Sequence, residues 1–143
     1  MGGNSSFYYT NPTPTTNSSI SANVSSLVAQ SQAQLAAYTV VTDSWASSVT
    51  INWDLANCHR LTLGGTPTAL TFTGGVDGEK LILELKQDAT GSRTITLPPN
   101  VRYSSTIPSI VLSTSPNRID KLGFMYNLSD GKYDLVAVSY GFY

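Results

Sequence analysis

From Asp43 to the end of the chain, apolar and polar side chains alternate with a period of two. Val49, Ile51 and Trp53 alternate with Thr50, Asn52 and Asp54, and Leu81, Leu83 and Leu85 alternate with Ile82, Glu84 and Lys86. Shorter stretches at Leu61–Leu63, Leu70–Phe72, Ile95–Leu97 and Ile110–Leu112 repeat the pattern, and longer ones at Ile119–Tyr126 and Tyr133–Tyr140 complete it. Successive side chains of a strand point to opposite faces, so each stretch predicts a strand with one buried face. Turn formers separate them, among them Gly64-Gly65, Asp88-Ala89-Thr90-Gly91, Pro98-Pro99-Asn100 and Ser115-Pro116-Asn117. Asp130-Gly131 predicts a tight hairpin, and Asp77-Gly78 predicts the turn that launches the strand ending at Gln87. Short strands at this spacing predict an all-β fold, an antiparallel β-sandwich of jelly-roll type.

Before residue 43 the pattern changes. Ile20, Val24, Leu27, Ser31, Leu35 and Tyr38 are spaced four, three, four, four and three, close to a heptad seam, with Ser18 or Ser19 placed to cap its start. The seam is short, holds a serine at one core position and has no charged flanks, so a single copy is a poor helix in water. Three copies held together would form it, and an extended arm is the alternative. Ile20, Val24, Leu27, Leu35 and Tyr38 are the candidate oligomerisation residues. Residues 1–19 carry Pro12 and Pro14, which favour an extended course. Phe7, Tyr8 and Tyr9 are costly to leave in water and are the candidate anchor on a partner.

Charge draws the same boundary. The chain has eight basic and nine acidic side chains, and all of them lie at or after Asp43. An uncharged segment poor in large apolar residues builds no core of its own. The expected organisation is an arm over 1–42 (extended over 1–19, with the possible helix over 20–38) and a β domain over 43–143. A net charge of −1 argues against a nucleic-acid partner. No apolar run approaches the length of a membrane span and no leader-like pattern opens the chain, so membrane insertion is not expected.

Candidate chemistry is sparse. Cys58 and His59 are the one thiol and the one imidazole in the chain. Neighbouring strand residues face opposite ways, so they form no catalytic dyad; Cys58 is expected inward and His59 outward. No nucleophile elbow, phosphate loop or dinucleotide fingerprint occurs, and the acidic residues sit in turns or beside lysine on a strand. Neither Asp-Gly turn carries the ligand ladder of a calcium loop. The myristoylation-like start and four glycosylation sequons are matches that a chain rich in Ser, Thr and Asn makes by chance; 36 of 143 residues are Ser or Thr. The expectation is a non-enzymatic protein with no catalytic residues, metal or cofactor.

The stretch Leu81–Tyr103, LILELKQDATGSRTITLPPNVRY, resembles a segment that recurs near the C-termini of tailed-bacteriophage virion proteins. There a strand ending in a K-Q-D-type turn is followed by T-G-S-R-T-[IV]-T-[LW]-P and then N-V-[RK]-[WY]. Ile119–Tyr126 with Gly131–Asp134 is similar to the strand pair that ends the module, and Tyr140-Gly141-Phe142-Tyr143 to its aromatic-glycine tail. The resemblance spans roughly residues 50–143. It implies a small β-sandwich of virion structural and fibre proteins, usually trimeric, with no catalytic residues to carry over. With only 42 residues ahead of the module, it implies first a capsid decoration (cement) protein or short head fibre. That protein would dock on other virion proteins by its N-terminal arm and display a homotrimer. The alternative is a tail-fibre or baseplate tip that recognises host surface glycans, with Tyr103, Tyr126, Tyr133 and Tyr140 as stacking candidates. Either way the expected location is the virion.

Overall fold

The computed structural model describes Gly3, residues 17–36 and residues 39–143. It divides into two compact units, Met1–Gln32 and Ala33–Tyr143. The first contains most of helix α1, Asn17–Ala36. The helical alternative is therefore the one adopted, and it begins ahead of the expected serine caps. Ile20, Val24 and Leu27 lie on α1 and are about half exposed. The backbone of Leu35 belongs to α1, whereas Phe7, Tyr8, Tyr9 and Tyr38 lie outside the described residues.

The second unit holds nine strands: β1 (Val40–Asp43), β2 (Ser48–Asn52), β3 (Cys58–Leu63), β4 (Thr68–Thr73), β5 (Lys80–Gln87), β6 (Ile95–Thr96), β7 (Val101–Arg102), β8 (Ile119–Asn127) and β9 (Lys132–Phe142). Val40, Val41 and Thr42 are thus part of the β unit, pairing with Cys58, His59 and Arg60. The boundary at residue 43 marks where charge begins, and the first strand starts three residues earlier.

The strands form a six-stranded sheet in the order β1-β3-β5-β8-β9-β7 and a three-stranded sheet in the order β2-β4-β6. From β1 to β6 the chain changes sheet after every strand, so strands of one sheet run in the same direction. β1-β3, β3-β5, β2-β4 and β4-β6 are all parallel, as is β7-β9. Only β5-β8 and the hairpin β8-β9 are antiparallel among the described residues. The mostly-β expectation holds, but the antiparallel jelly-roll does not describe these sheets, which are open, the larger one mixed. A parallel neighbour needs a long crossover, and from β1 to β6 each crossover is a strand of the other sheet with its two short loops. Between β1 and β2, Trp45 lies over the β3–β4 turn and donates its indole N–H to Thr68 Oγ1 at 2.9 Å. A Cβ on Gly65 would sit 2.4 Å from that indole, so this turn is built from glycine to admit it.

Both sheets contribute to one core. Phe72 packs edge-on to Trp53, Phe124 and Tyr133 with ring centroids 5.4, 5.2 and 5.3 Å away, a favoured aromatic geometry. Ile110–Leu112 forms no strand. Ile110 and Leu112 still pack against the core while Val111 faces outward, so the alternation holds without a ladder.

Four polar side chains also point inward: His59, Thr68, Gln87 and Asp120. His59 is fully buried and Cys58 only partly, the reverse of the expected facing. The inward phase of β3 is His59-Leu61-Leu63, and burial is satisfied by partners. Nδ1 lies 2.8 Å from Asp43 Oδ2 and Nε2 lies 3.1 Å from the Asn52 carbonyl. Asp120 sits opposite an irregularity in β9, where Gly141 adopts φ +75°. Its carboxylate accepts from Ser113 N–H and Oγ–H, both at 2.7 Å, and from Gly141 N–H at 2.9 Å.

Candidate ligand groove

β7 is the edge of the six-stranded sheet and pairs Arg102 directly with Asp134 of β9. Val101 turns inward, so alternation turns Arg102 outward, and Tyr103 follows it into the next loop, 45% exposed. Arg102 Nε and Nη2 donate to Asp134 Oδ1 and Oδ2 at 2.5 and 2.9 Å, a bidentate pair. Nη1 donates to Asp130 Oδ2 of the β8–β9 turn at 2.6 Å. One guanidinium therefore serves two carboxylates.

Three surface depressions run from this pair in series. The first, about 460 Å³, is lined by Arg102, Tyr103, Ser104, Thr106 and Asp134. The second, about 400 Å³, shares Tyr103 and adds Thr96, Leu97 and Ser109. It shares Ile95 and Ile110 with the third, about 340 Å³, which reaches Ser92, Arg93 and Thr114. Tyr103 is thus a ridge between two hollows.

The far wall is held rigidly. Gln87 accepts from Arg93 N–H through Oε1 at 2.7 Å and donates through Nε2 to the Arg93 carbonyl at 3.0 Å. Arg93 Nε and Nη2 donate to Asp88 Oδ2 at 3.0 and 2.7 Å. Asp88 Oδ1 also accepts from Thr90 N–H and Gly91 N–H, which fixes the turn.

These pairs set the local acid–base behaviour. The Arg102 hydrogen bonds hold the Asp134 carboxyl below its ordinary value, and Asp134 in turn raises Arg102. Arg93 and the turn amides likewise lower Asp88. A carboxyl depressed in the folded state contributes stability fully above its unfolded value, about 3.9, and loses that contribution as pH falls through the depressed value. Melting temperature recorded from about pH 6 down to pH 2 should therefore fall on the acid side. Arg102→Ala should flatten that limb; an unchanged acid limb would show that the Asp134 pair contributes nothing to it.

The four tyrosines fare differently. Tyr103 is on the groove. Tyr140 is exposed, and its hydroxyl accepts from Val111 N–H at 3.4 Å beside the third hollow. Tyr126 is partly buried against the Tyr133 ring at 4.7 Å. Tyr133 is a core residue: 2% exposed, it donates its hydroxyl to the Gly74 carbonyl at 2.7 Å and offers no face to a ligand. Burial, with Tyr126 and Asp54 nearby, pushes its hydroxyl up to about 12. Sequence reasoning missed Arg102, Asp130 and Asp134 as a unit, because only the β7–β9 register brings them together.

Among the described residues no three His, Cys, Asp or Glu side chains gather as a metal site. Burial pushes the Cys58 thiol up, which keeps it protonated and a weak nucleophile.

No curated protein and no solved structure matches the chain. A family model described as "Putative phage tail fibre C-terminal domain" matches residues 45–127, from Trp45 through the whole of β8. That range contains the resembling stretch Leu81–Tyr103 and most of the groove, and it is more than half of the chain. The chain belongs to this phage tail fibre C-terminal domain family and is a component of the virion.

Proposed function

We propose that this protein is the receptor-contacting module of a phage tail fibre or baseplate, recognising a host surface glycan in the groove centred on Tyr103. The observation that carries the reading is the tail fibre family match over most of the residues that build the groove. An exposed aromatic ridge between hollows rich in hydroxyls suits a sugar, which has an apolar face and a polar rim. This reading is favoured over capsid decoration because the family match is to a tail fibre C-terminal domain.

The remaining elements have roles in the same scheme. The exposed apolar positions of α1, Ile20, Val24 and Leu27, with Leu35 and Tyr38 continuing the spacing in the sequence, join three copies into a homotrimer. Phe7, Tyr8 and Tyr9 anchor the assembly on other virion proteins. A trimer presents three grooves at once, so modest affinity at each becomes firm attachment.

Gold-labelled antibody against this chain, imaged on intact particles, is expected to mark the tail end. Label spread over the shell would replace this reading with the decoration one.

A further inference from the structure

We infer that the groove selects neutral surface polysaccharides and rejects acidic ones. The inference rests on the reading of the groove as a glycan site and adds its charge specificity.

Two guanidiniums line the groove, those of Arg93 and Arg102. An acidic sugar would look to them first, since arginine pairs bidentately with carboxylate and phosphate. Both are already engaged. Arg93 is held by Asp88, and Arg102 spends Nε and Nη2 on Asp134 and Nη1 on Asp130. The lining of the first hollow therefore holds one positive and one negative group, Arg102 and Asp134, beside Tyr103, and Asp130, outside that lining, adds a second negative charge on the same guanidinium. An incoming carboxylate would have to displace a bonded one and meet the other's charge, a like-charge contact in a partly desolvated cleft.

A neutral sugar finds the opposite conditions. Carboxylates accept through two oxygens with several lone pairs, and each Asp134 oxygen takes one bond from Arg102. Sugar hydroxyls donate to such acceptors without adding charge. Tyr103 offers the ring face, and Ser104, Thr106, Thr96 and Ser109 supply further hydroxyls along the first two hollows. Because the three depressions share lining residues in series, they follow a chain of several sugars rather than a single residue.

The test is an array of bacterial surface oligosaccharides, neutral ones beside uronate- and sialate-bearing ones, probed with the full chain and two variants. The wild-type protein should bind neutral chains at least about tenfold more tightly than acidic ones. Tyr103→Ala should lose about tenfold or more on every bound glycan. Asp130→Asn removes one negative charge while keeping an acceptor, and it should narrow the gap to acidic glycans with little change on neutral ones. Acidic chains bound as tightly as neutral ones, and lost in Tyr103→Ala, would overturn the charge specificity and leave the groove as the receptor site. No glycan bound, or binding indifferent to Tyr103, would overturn the groove itself. Circular dichroism of both variants separates loss of binding from loss of fold.

Discussion

Asp120→Ala is expected to destabilise the β unit by about 3–5 kcal/mol, among the largest effects of any single substitution in it. Asp120 is 1% exposed and its carboxylate accepts from two backbone amides and a serine hydroxyl. Alanine leaves all three donors buried or half-buried with nothing to bond, and each orphaned donor costs about 1–3 kcal/mol. For a unit of this size the melting temperature should drop by about 10 °C or more. Asp120→Asn keeps one acceptor oxygen but turns an amide N–H₂ toward a donor, so it should fall between. Urea unfolding of the three proteins decides the matter. An Asp120→Ala protein within about 1 kcal/mol of wild type would mean that water reaches those amides.

The physical role of Asp120 is to close the gap between two pieces of chain that lack a common ladder. Ser113 belongs to the irregular segment before β8, and Gly141 lies near the end of β9 where the strand pairing is out of step. The carboxylate bonds to both. The same irregular segment supplies Ile110 and Thr114 to the groove, so if the groove is the proposed glycan site the substitution should also blunt binding there.

The inward facing of Asp120 and His59 lay in the parity of their strands, but Asp120 was not singled out and His59 was expected outward. Asp120 shares its parity with Leu122 and Phe124, and His59 shares its own with Leu61 and Leu63. Facing follows from parity; residue type suggested solvent for His59, and the strand overruled it because Asp43 and Asn52 supply partners. The Asp130-Gly131 hairpin was equally readable, since its chemistry is local. Strand direction was not. Alternation states which side chains share a face and is the same for parallel and antiparallel neighbours, so the crossing from sheet to sheet left no mark in the pattern. The groove was hidden for a related reason. Tyr103 could be singled out as an aromatic, but Arg102 and Asp134 are 32 residues apart and meet only through the β7–β9 register.

His59→Ala is expected to cost about 3–5 kcal/mol, and to do so unevenly through the structure. The ring joins three strands. A carbonyl only accepts, so Nε2 donates toward Asn52 at the end of β2, while Nδ1 lies 2.8 Å from Asp43 Oδ2 at the end of β1. The ring also stands edge-on to Trp53 at 5.0 Å. Alanine removes that packing and leaves Asp43, 15% exposed at its side chain, beside an empty space. β1 is an edge strand with β3 as its one neighbour, so it has the least to replace what is lost. β5, β8 and β9 are held by long ladders on the other side of β3. Local opening should therefore appear first at β1 and the start of β2. Hydrogen exchange should show faster exchange of the β1 and β2 amides in His59→Ala, with the β5–β8 amides slowed or quickened only as far as global stability changes. His59→Gln, which can donate to one partner, should recover part of the protection. Uniformly faster exchange across all strands would show instead that the first strands unfold only with the whole unit.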